Sequence, residues 1–319
     1  MFFRPLFRLV PDGTTIQFMR GRFLGLATSA VLSLASLVLF FHPGLRLGID
    51  FRGGVVMEVR TPGPANFDQL RAGLSQAKIV DAGLQRFGAD DQVRIRLDPQ
   101  GDQNATEATV ARVRQGLEAA APGTRIVRTD AVGASVSQEL FQNGMLALGL
   151  SLLMILAYIW FRFEWQFAVG AVVTLLLDVT KAIGFLVVTR IEFDLVMVAA
   201  ILTVIGYSTN DKVVVYDRMR ENLRKYKTMP LRQLIDLSIN ETLNRTLGTS
   251  MTVFLASLPL ALFGGASLQG FALMMLFGIV VGTSSSIFIA APILLFLGEN
   301  RLRRDAQAVP KVAGKQGTA

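Results

Sequence analysis

The chain has 319 residues, 51% of them hydrophobic and only 18% charged; that is too apolar for an ordinary soluble domain and reads as a polytopic membrane protein. It contains no cysteine and a single histidine, His42, so disulfides, thiolate metal sites and Cys nucleophiles are excluded, and no room is left for a histidine metal cluster or a His-dependent triad. In such a chain the net charge of +8 marks cytoplasmic loops rather than nucleic-acid binding, and no G-x-x-x-x-G-K-[ST] loop is present to hold ATP. Neither a metal nor a cofactor is expected.

Residues 1–22, with Arg4, Arg8, Arg20 and Arg22, form a basic cytoplasmic N-terminus ahead of a first apolar stretch, 23–41. A helix needs roughly 20 such residues to cross the hydrocarbon, so this stretch is long enough to span. Its apolar core exceeds the roughly 7–15 residues of a signal peptide, and "FFHPGLRLG" after it lacks an A-x-A cleavage pattern, so it is read as an uncleaved anchor. The only large polar segment follows, 42–142. It opens on Asp50, Phe51, Arg52, Gly53 and Gly54, where the glycines supply backbone freedom. This "DFRGG" is either a plain turn or the coupling between span and domain.

Beyond it the pattern reads strand (55–60), helix (66–77), strand (82–88), strand (92–98), helix (105–120, capped by Asn104 or Thr106) and strand (124–132). Val93, Ile95 and Leu97 alternate with Arg94 and Arg96, which puts the apolar set on the helix side. Six elements in this order fit a ferredoxin-like split βαβ sandwich.

Five more apolar stretches, about 143–161, 166–188, 194–217, 246–266 and 271–297, complete a six-helix membrane protein with a five-helix bundle over 143–297. Between the fourth and fifth lies a basic loop, 218–245, and residues 298–319 form a basic, disordered tail. Lys and Arg crowd the N-terminus, this loop and the tail, while the opposite loops hold only Arg190. Both termini are therefore expected inside and residues 42–142 outside.

Several charges sit where apolar residues belong, and an Asp or Lys at a helix centre costs roughly 2.5–3.5 kcal/mol on insertion scales. Asp178 lies about 18 Å into the third span, with Lys181 three residues on and on the same face. This is either a self-neutralising pair or a proton-relay station. Asp211 lies about 9 Å from the inner end of the fourth span and shares a face with Tyr207, Ser208 and Val215. Its neighbour Lys212 is shallow enough to snorkel to the interface. Arg245 opens the fifth span, and its partner is either Glu241, four residues earlier, or Asp211. Thr246, Gly248, Thr249 and Ser250, and the Gly278/Gly282 pair, are small residues that let helix backbones approach.

Five segments carry a resemblance: "LGIDFRGG" (47–54), "WFRFEWQFAVGA" (160–171), "IGYSTNDKVVVYDRMRENLRKYK" (205–227), "LIDLSINETLNRT" (234–246) and "FGIVVGTSSSIFIAAP" (277–292). In this order and spacing the chain resembles the SecF family, the smaller membrane subunits of SecD–SecF protein-export complexes, within the resistance-nodulation-division superfamily. The resemblance implies a six-span subunit of a bacterial inner membrane that is not an enzyme in the bond-making sense. It pairs with SecD, associates with the SecYEG channel and uses the proton gradient to help move preproteins, with lipids as its other surroundings. It also implies that Asp211 and Arg245 belong to the proton pathway. It departs at Leu177, where a histidine is expected before Asp178, and at Lys181 and Lys212. Two other readings are a half-size proton-coupled exporter of small molecules or lipids, and a passive scaffold of the translocon.

Overall fold

The computed structural model describes residues 10–11, 14–79, 82–86, 89–98 and 103–297. The expected tail (298–319) and residues 1–9 of the N-terminal segment lie outside them.

After a 3₁₀ turn at Phe18–Gly21 comes α1 (Arg22–Phe41), followed by the short α2 (Ile49–Arg52). The polar segment then runs β1 (Gly54–Arg60), α3 (Phe67–Gln76), β2 (Gly83–Arg86), β3 (Gln92–Leu97), α4 (Gln103–Ala120) and β4 (Arg125–Val132). The remainder is helical: α5 (Ala134–Arg162), α6 (Trp165–Thr189), α7 (Leu195–Lys225), α8 (Leu231–Phe263) and α9 (Gly265–Ser285). A π-helical turn, Ser286–Ala290, carries α9 into α10 (Ala291–Phe296). Six helices among the described residues are long and apolar enough to cross a membrane.

The four strands stand in the order β2-β3-β1-β4 with every neighbouring pair antiparallel. Val55, Met57 and Val59 of β1 and Val93, Ile95 and Leu97 of β3 bury one sheet face against Leu70 and Leu74 of α3 and Val113 and Leu117 of α4. The period-2 alternation of β3 therefore sends its apolar residues where expected. Its arginines take the other face: Arg94 pairs with Glu58 across the strands at 3.0 Å. Helix α3 begins on Asn66, whose side chain accepts from the Asp68 and Gln69 amides. Helix α4 begins at Gln103, and the cap expected at Asn104 or Thr106 falls on side chains outside the described residues.

Helix α1 shows an inverted pattern. In α1 only Ser29, Ser33 and Ser36 are buried, at i, i+4, i+7 spacing, while its leucines and valines point outward. Lipid tails are as apolar as leucine, so helix pairing rests on close approach of small residues. Ser36 indeed lies against Gly184 of α6, where a Cβ would overlap it. Helices α6 and α7 form the centre, with α9 beside them: a Cβ on Gly278 would overlap the Val204 side chain, and one on Gly282 would stand 3.0 Å from Ser208 Cβ.

The expected basic loop is mostly helix. Helix α7 continues to Lys225 and α8 starts at Leu231, leaving 226–230 as the connection. Helix α8, at 33 residues and about 50 Å, outruns a hydrocarbon core of about 30 Å. Side-chain contacts explain why these projecting ends stay helical. Arg218 bonds Glu241 at 2.7 Å and Glu221 at 2.6 Å, and Asn222 donates to Ser238 at 3.0 Å and Glu241 at 2.7 Å. Charge alone suggested a loop because the same polarity also suits a clipped helical hairpin.

Candidate functional site

Two groups of polar side chains stand out, one inside the helix bundle and one where the sheet meets one end of it.

Within the bundle, Asp178 of α6 is 4% exposed and accepts from three helices. Its Oδ1 faces Lys181 Nζ at 3.4 Å, and its Oδ2 takes Lys212 Nζ at 2.9 Å, Ser208 Oγ at 2.8 Å and Ser285 Oγ at 2.7 Å. The Asp178–Lys181 pair is thus present, and Lys212 joins it. The snorkelling expectation for Lys212 is overturned: the residue is 1% exposed. Helical side chains lean toward the helix N-terminus, which here means back along α7 toward Ser208 and Asp178 rather than out to the interface. Lys212 Nζ also contacts Ser208 Oγ, Ser208 O (3.4 Å) and Ser285 Oγ (3.2 Å). A buried carboxylate and a buried ammonium in contact remove each other's exposure to hydrocarbon, which a single snorkelling amine cannot do for Asp178.

Asp211, one residue before Lys212, faces elsewhere. Its Oδ1 accepts from Thr246 Oγ1 of α8 at 2.6 Å. Its Oδ2 is buried and has no hydrogen-bond partner among the described residues. Ser286 stands beside it, but its hydroxyl donates to Gly282 O at 2.9 Å. Tyr207, on the same stripe, donates to Ser250 Oγ at 2.6 Å, and Ser250 in turn contacts Thr283 Oγ1 at 2.8 Å. The structure does not bring Arg245 to either expected partner. It is exposed on α8, Glu241 is occupied by Arg218 and Asn222, and the neighbouring Thr246 is what reaches Asp211. An i,i+4 spacing permits a pair but does not choose between an exposed local partner and a better-placed one across the hairpin.

Ser285 was not singled out from sequence, although the hydroxyl run "TSSS" in an apolar span was the available signal. The π-helical turn that follows it lets Tyr216, fully buried, donate to Ala290 O at 3.1 Å. An extra residue in a helical turn releases such a carbonyl from the usual ladder, and these bulges recur at functional sites.

The "DFRGG" segment is more than a loose turn. Gly53 and Gly54 adopt φ of 75° and 116°, and a Cβ on Gly54 would collide with Leu97 O of β3. Asp50 Oδ2 accepts the Leu195 amide at 3.1 Å, at the start of α7, where a carboxylate also complements the helix dipole. Phe51 is buried against Phe193 and Phe141, at 5.3 Å and 5.5 Å between ring centroids. Arg52 is exposed. The main chain joins in, with Gly48 N donating to Phe193 O at 2.9 Å and Phe193 N to Arg46 O at 2.7 Å. Arg96 of β3 reaches the same turn through Glu192 at 3.2 Å and Leu47 O at 2.8 Å. Asp194 caps α7 by accepting from Met197 N at 2.8 Å; burial, then the nearby carboxylates Asp50 and Glu192, push its carboxyl above the ordinary range. Above these contacts the open sheet face and the helix ends enclose a cleft of about 670 Å³, lined by Glu58, Arg94, Arg128, Asp130, Arg190 and Glu192 among others.

Comparison with known proteins gives a consistent picture. Residues 112–300 match the family described as "Protein export membrane protein SecD/SecF, C-terminal", and residues 38–61 match the "SecD/SecF GG Motif". The chain is 40% identical to the protein translocase subunit SecF of Rickettsia akari, over 92% of this chain and 96% of that one. It is 41% identical to the SecF subunit of Cereibacter sphaeroides, over 98% and 96%. It is 44% identical to the protein translocase subunit SecDF of Brucella abortus, over 94% of this chain but 39% of that longer one. Among solved structures it is similar to SecDF from Thermus thermophilus, described as a translocon-associated membrane protein, with TM-score 0.79, 30% identity and coverage of 89% and 39%.

Proposed function

The chain belongs to the SecF family of protein translocase subunits, and on that premise we propose that it uses Asp211 to couple a proton gradient to protein export. It is a multi-pass membrane protein. Its SecDF relatives hold the counterpart of this chain within a longer polypeptide, which supports SecD as its partner. The SecYEG channel and translocating preproteins complete the proposed assembly, in an inner membrane with both termini cytoplasmic and residues 42–142 outside. The strand order β2-β3-β1-β4 with two helices on one face supports the ferredoxin-like reading of the outer domain. Nothing in the reading calls for an enzyme.

One observation carries the coupling: Asp211 is buried, one oxygen is tied to α8 by Thr246, and the other has beside it only the Ser286 hydroxyl, committed to Gly282 O, and no hydrogen-bond partner among the described residues. An anionic carboxylate in that position lacks half its hydrogen bonds, so its state responds to any proton or cation that reaches it. Taking up a proton changes which groups it can hold on α8, and helices that pack in two alternative ways convert that local change into movement. The membrane potential supplies about 2.3 kcal/mol per charge per 100 mV, enough for one proton to bias such an equilibrium. The "DFRGG" staple then offers a rigid link from the start of α7 to the outer domain. In this reading Arg245, exposed on α8, meets the partner subunit rather than a group in this chain.

The test is export of a secreted reporter into membrane vesicles, with and without an imposed gradient, on matched amounts of assembled complex. Asp211→Asn should abolish the gradient-dependent part and leave assembly intact. Full gradient stimulation in that variant would sink the reading and favour a passive scaffold.

A further inference from the structure

A charged layer about one helical turn deep spans two packed helices: Asp178 and Lys181 on α6, and Asp211 and Lys212 on α7, each no more than 5% exposed. With all four charged, two carboxylates balance two ammoniums. That balance matters at this depth, where an uncompensated charge is strongly disfavoured. If Asp211 takes up a proton, as the reading above holds and as this inference requires, the layer is left with one positive charge too many.

The two lysines are unequal candidates for removing it. Lys212 Nζ has four acceptors: Asp178 Oδ2, Ser208 Oγ, Ser208 O and Ser285 Oγ. An ammonium so surrounded has every N–H satisfied. Lys181 Nζ has one, Asp178 Oδ1, at 3.4 Å, near the outer limit for such a bond. Two of its three N–H groups have no acceptor among the described residues. The charged groups facing Lys181 are Asp178 on its own helix and Lys212 on α7. Those facing Asp211 are Lys212, with the hydroxyls of Thr246 from α8 and Ser286 from the π-helical turn.

We propose that Lys181 is a second proton-exchanging group of this subunit, giving up its proton when Asp211 gains one, with Lys212 as the fixed counter-ion of Asp178. One O–H bond forms at Asp211 and one N–H bond breaks at Lys181. The arriving proton comes from water on one side of the membrane and the departing proton passes to water, so the layer stays neutral in both states. The neutral amine needs fewer partners than the ammonium, which suits the sparse surroundings of Lys181. Lys181 also lies three residues nearer the outer end of α6 than Asp178, so the two exchanging groups sit at different depths.

Two substitutions separate this from a plain ion pair. Arginine stays charged at every working pH, so Lys181→Arg cannot release a proton. Methionine is permanently neutral, so Lys181→Met leaves Asp211 favouring its protonated form. In the vesicle assay above, on matched assembled complex, Lys181→Arg should fall to the export level seen without a gradient. Lys181→Met should keep stimulation but move its pH profile about one unit or more toward alkaline pH. A structural cation would behave in the opposite order, with Arg working and Met failing. Should Lys181→Arg not assemble, the Lys181→Met profile decides alone, and an unshifted profile overturns the proposal. Asp211→Asn is run alongside. If it loses stimulation while Lys181→Arg retains it, the Lys181 assignment fails and the Asp211 reading stands; if it retains stimulation, both fall.

Discussion

Lys212 Nζ lies 2.9 Å from Asp178 Oδ2, although the two residues are 34 positions apart and on different helices. Lysine 212 is thus a structural counter-ion, and removing it strands a buried carboxylate with Lys181 as its remaining charged partner. Breaking a buried pair from one side costs about 3–5 kcal/mol. Lys212→Met should accordingly lower the thermal midpoint of the purified complex and reduce its yield. Asp178→Asn combined with Lys212→Met should recover much of the loss, since it removes both charges together. A single variant as stable as wild type would show that Asp178 does not depend on Lys212.

The contact between α7 and α9 is set by the absence of a side chain. Gly278→Ala would force its Cβ into Val204, and overpacking of this kind costs about 1–3 kcal/mol. Val204→Ala should relieve the strain, so the double variant should be more stable than Gly278→Ala alone. Additive melting shifts would mean that the two helices are not in direct contact there.

Phe51 and Asp50 divide the work of the staple between packing and capping. Phe51→Ala empties a buried aromatic site and should cost about 3 kcal/mol or more, while Asp50→Ala removes one helix-end acceptor and should cost about 1 kcal/mol. Limited proteolysis should show the outer domain cut faster in Phe51→Ala with the membrane helices intact. Equal protection of both variants would argue that the domain is held by other contacts.

Asp194 gives a pH dependence with a defined sign. Its carboxyl is held above the ordinary range, so the fold favours the protonated acid. The stability it contributes is complete below the ordinary carboxylate range and is lost as pH rises through the raised value. Asn caps a helix as well as Asp without ionising. Asp194→Asn should therefore match wild type in acid and melt higher at neutral pH, as read by melting curves at the two conditions. A lower melting point at neutral pH would reverse the sign.

Orientation can be read with impermeant thiol reagents, since the chain has no cysteine of its own. Ser75 on α3 and Thr228 in the α7–α8 connection are both exposed. Ser75→Cys should react from outside the cell and Thr228→Cys only after the membrane is opened. Ser238 looks equally suitable in the sequence, but it is fully buried against Asn222 and would report on packing instead. The reverse labelling pattern would invert the proposed topology.

Composition and periodicity by themselves determined most of the architecture. Runs of apolar residues long enough to cross hydrocarbon located all six helices, because length and hydropathy are local properties. Alternation in β3 fixed which side chains face α3 and α4, because a strand has a strict period of two. The helical state of 218–225 and 231–245 was not legible, since it depends on Arg218 and Asn222 meeting Glu241 and Ser238 across a hairpin. The charged layer was legible as a set of residues and not as a set of pairs. Spacing on one helix found Asp178 beside Lys181, but Lys212 reaches Asp178, and Thr246 rather than Arg245 reaches Asp211, only because α6, α7, α8 and α9 pack at particular rotations. The inward face of α1 is set by the close approach of Ser36 to Gly184, and α7 meets α9 where Val204 packs on Gly278; those contacts belong to the tertiary structure alone.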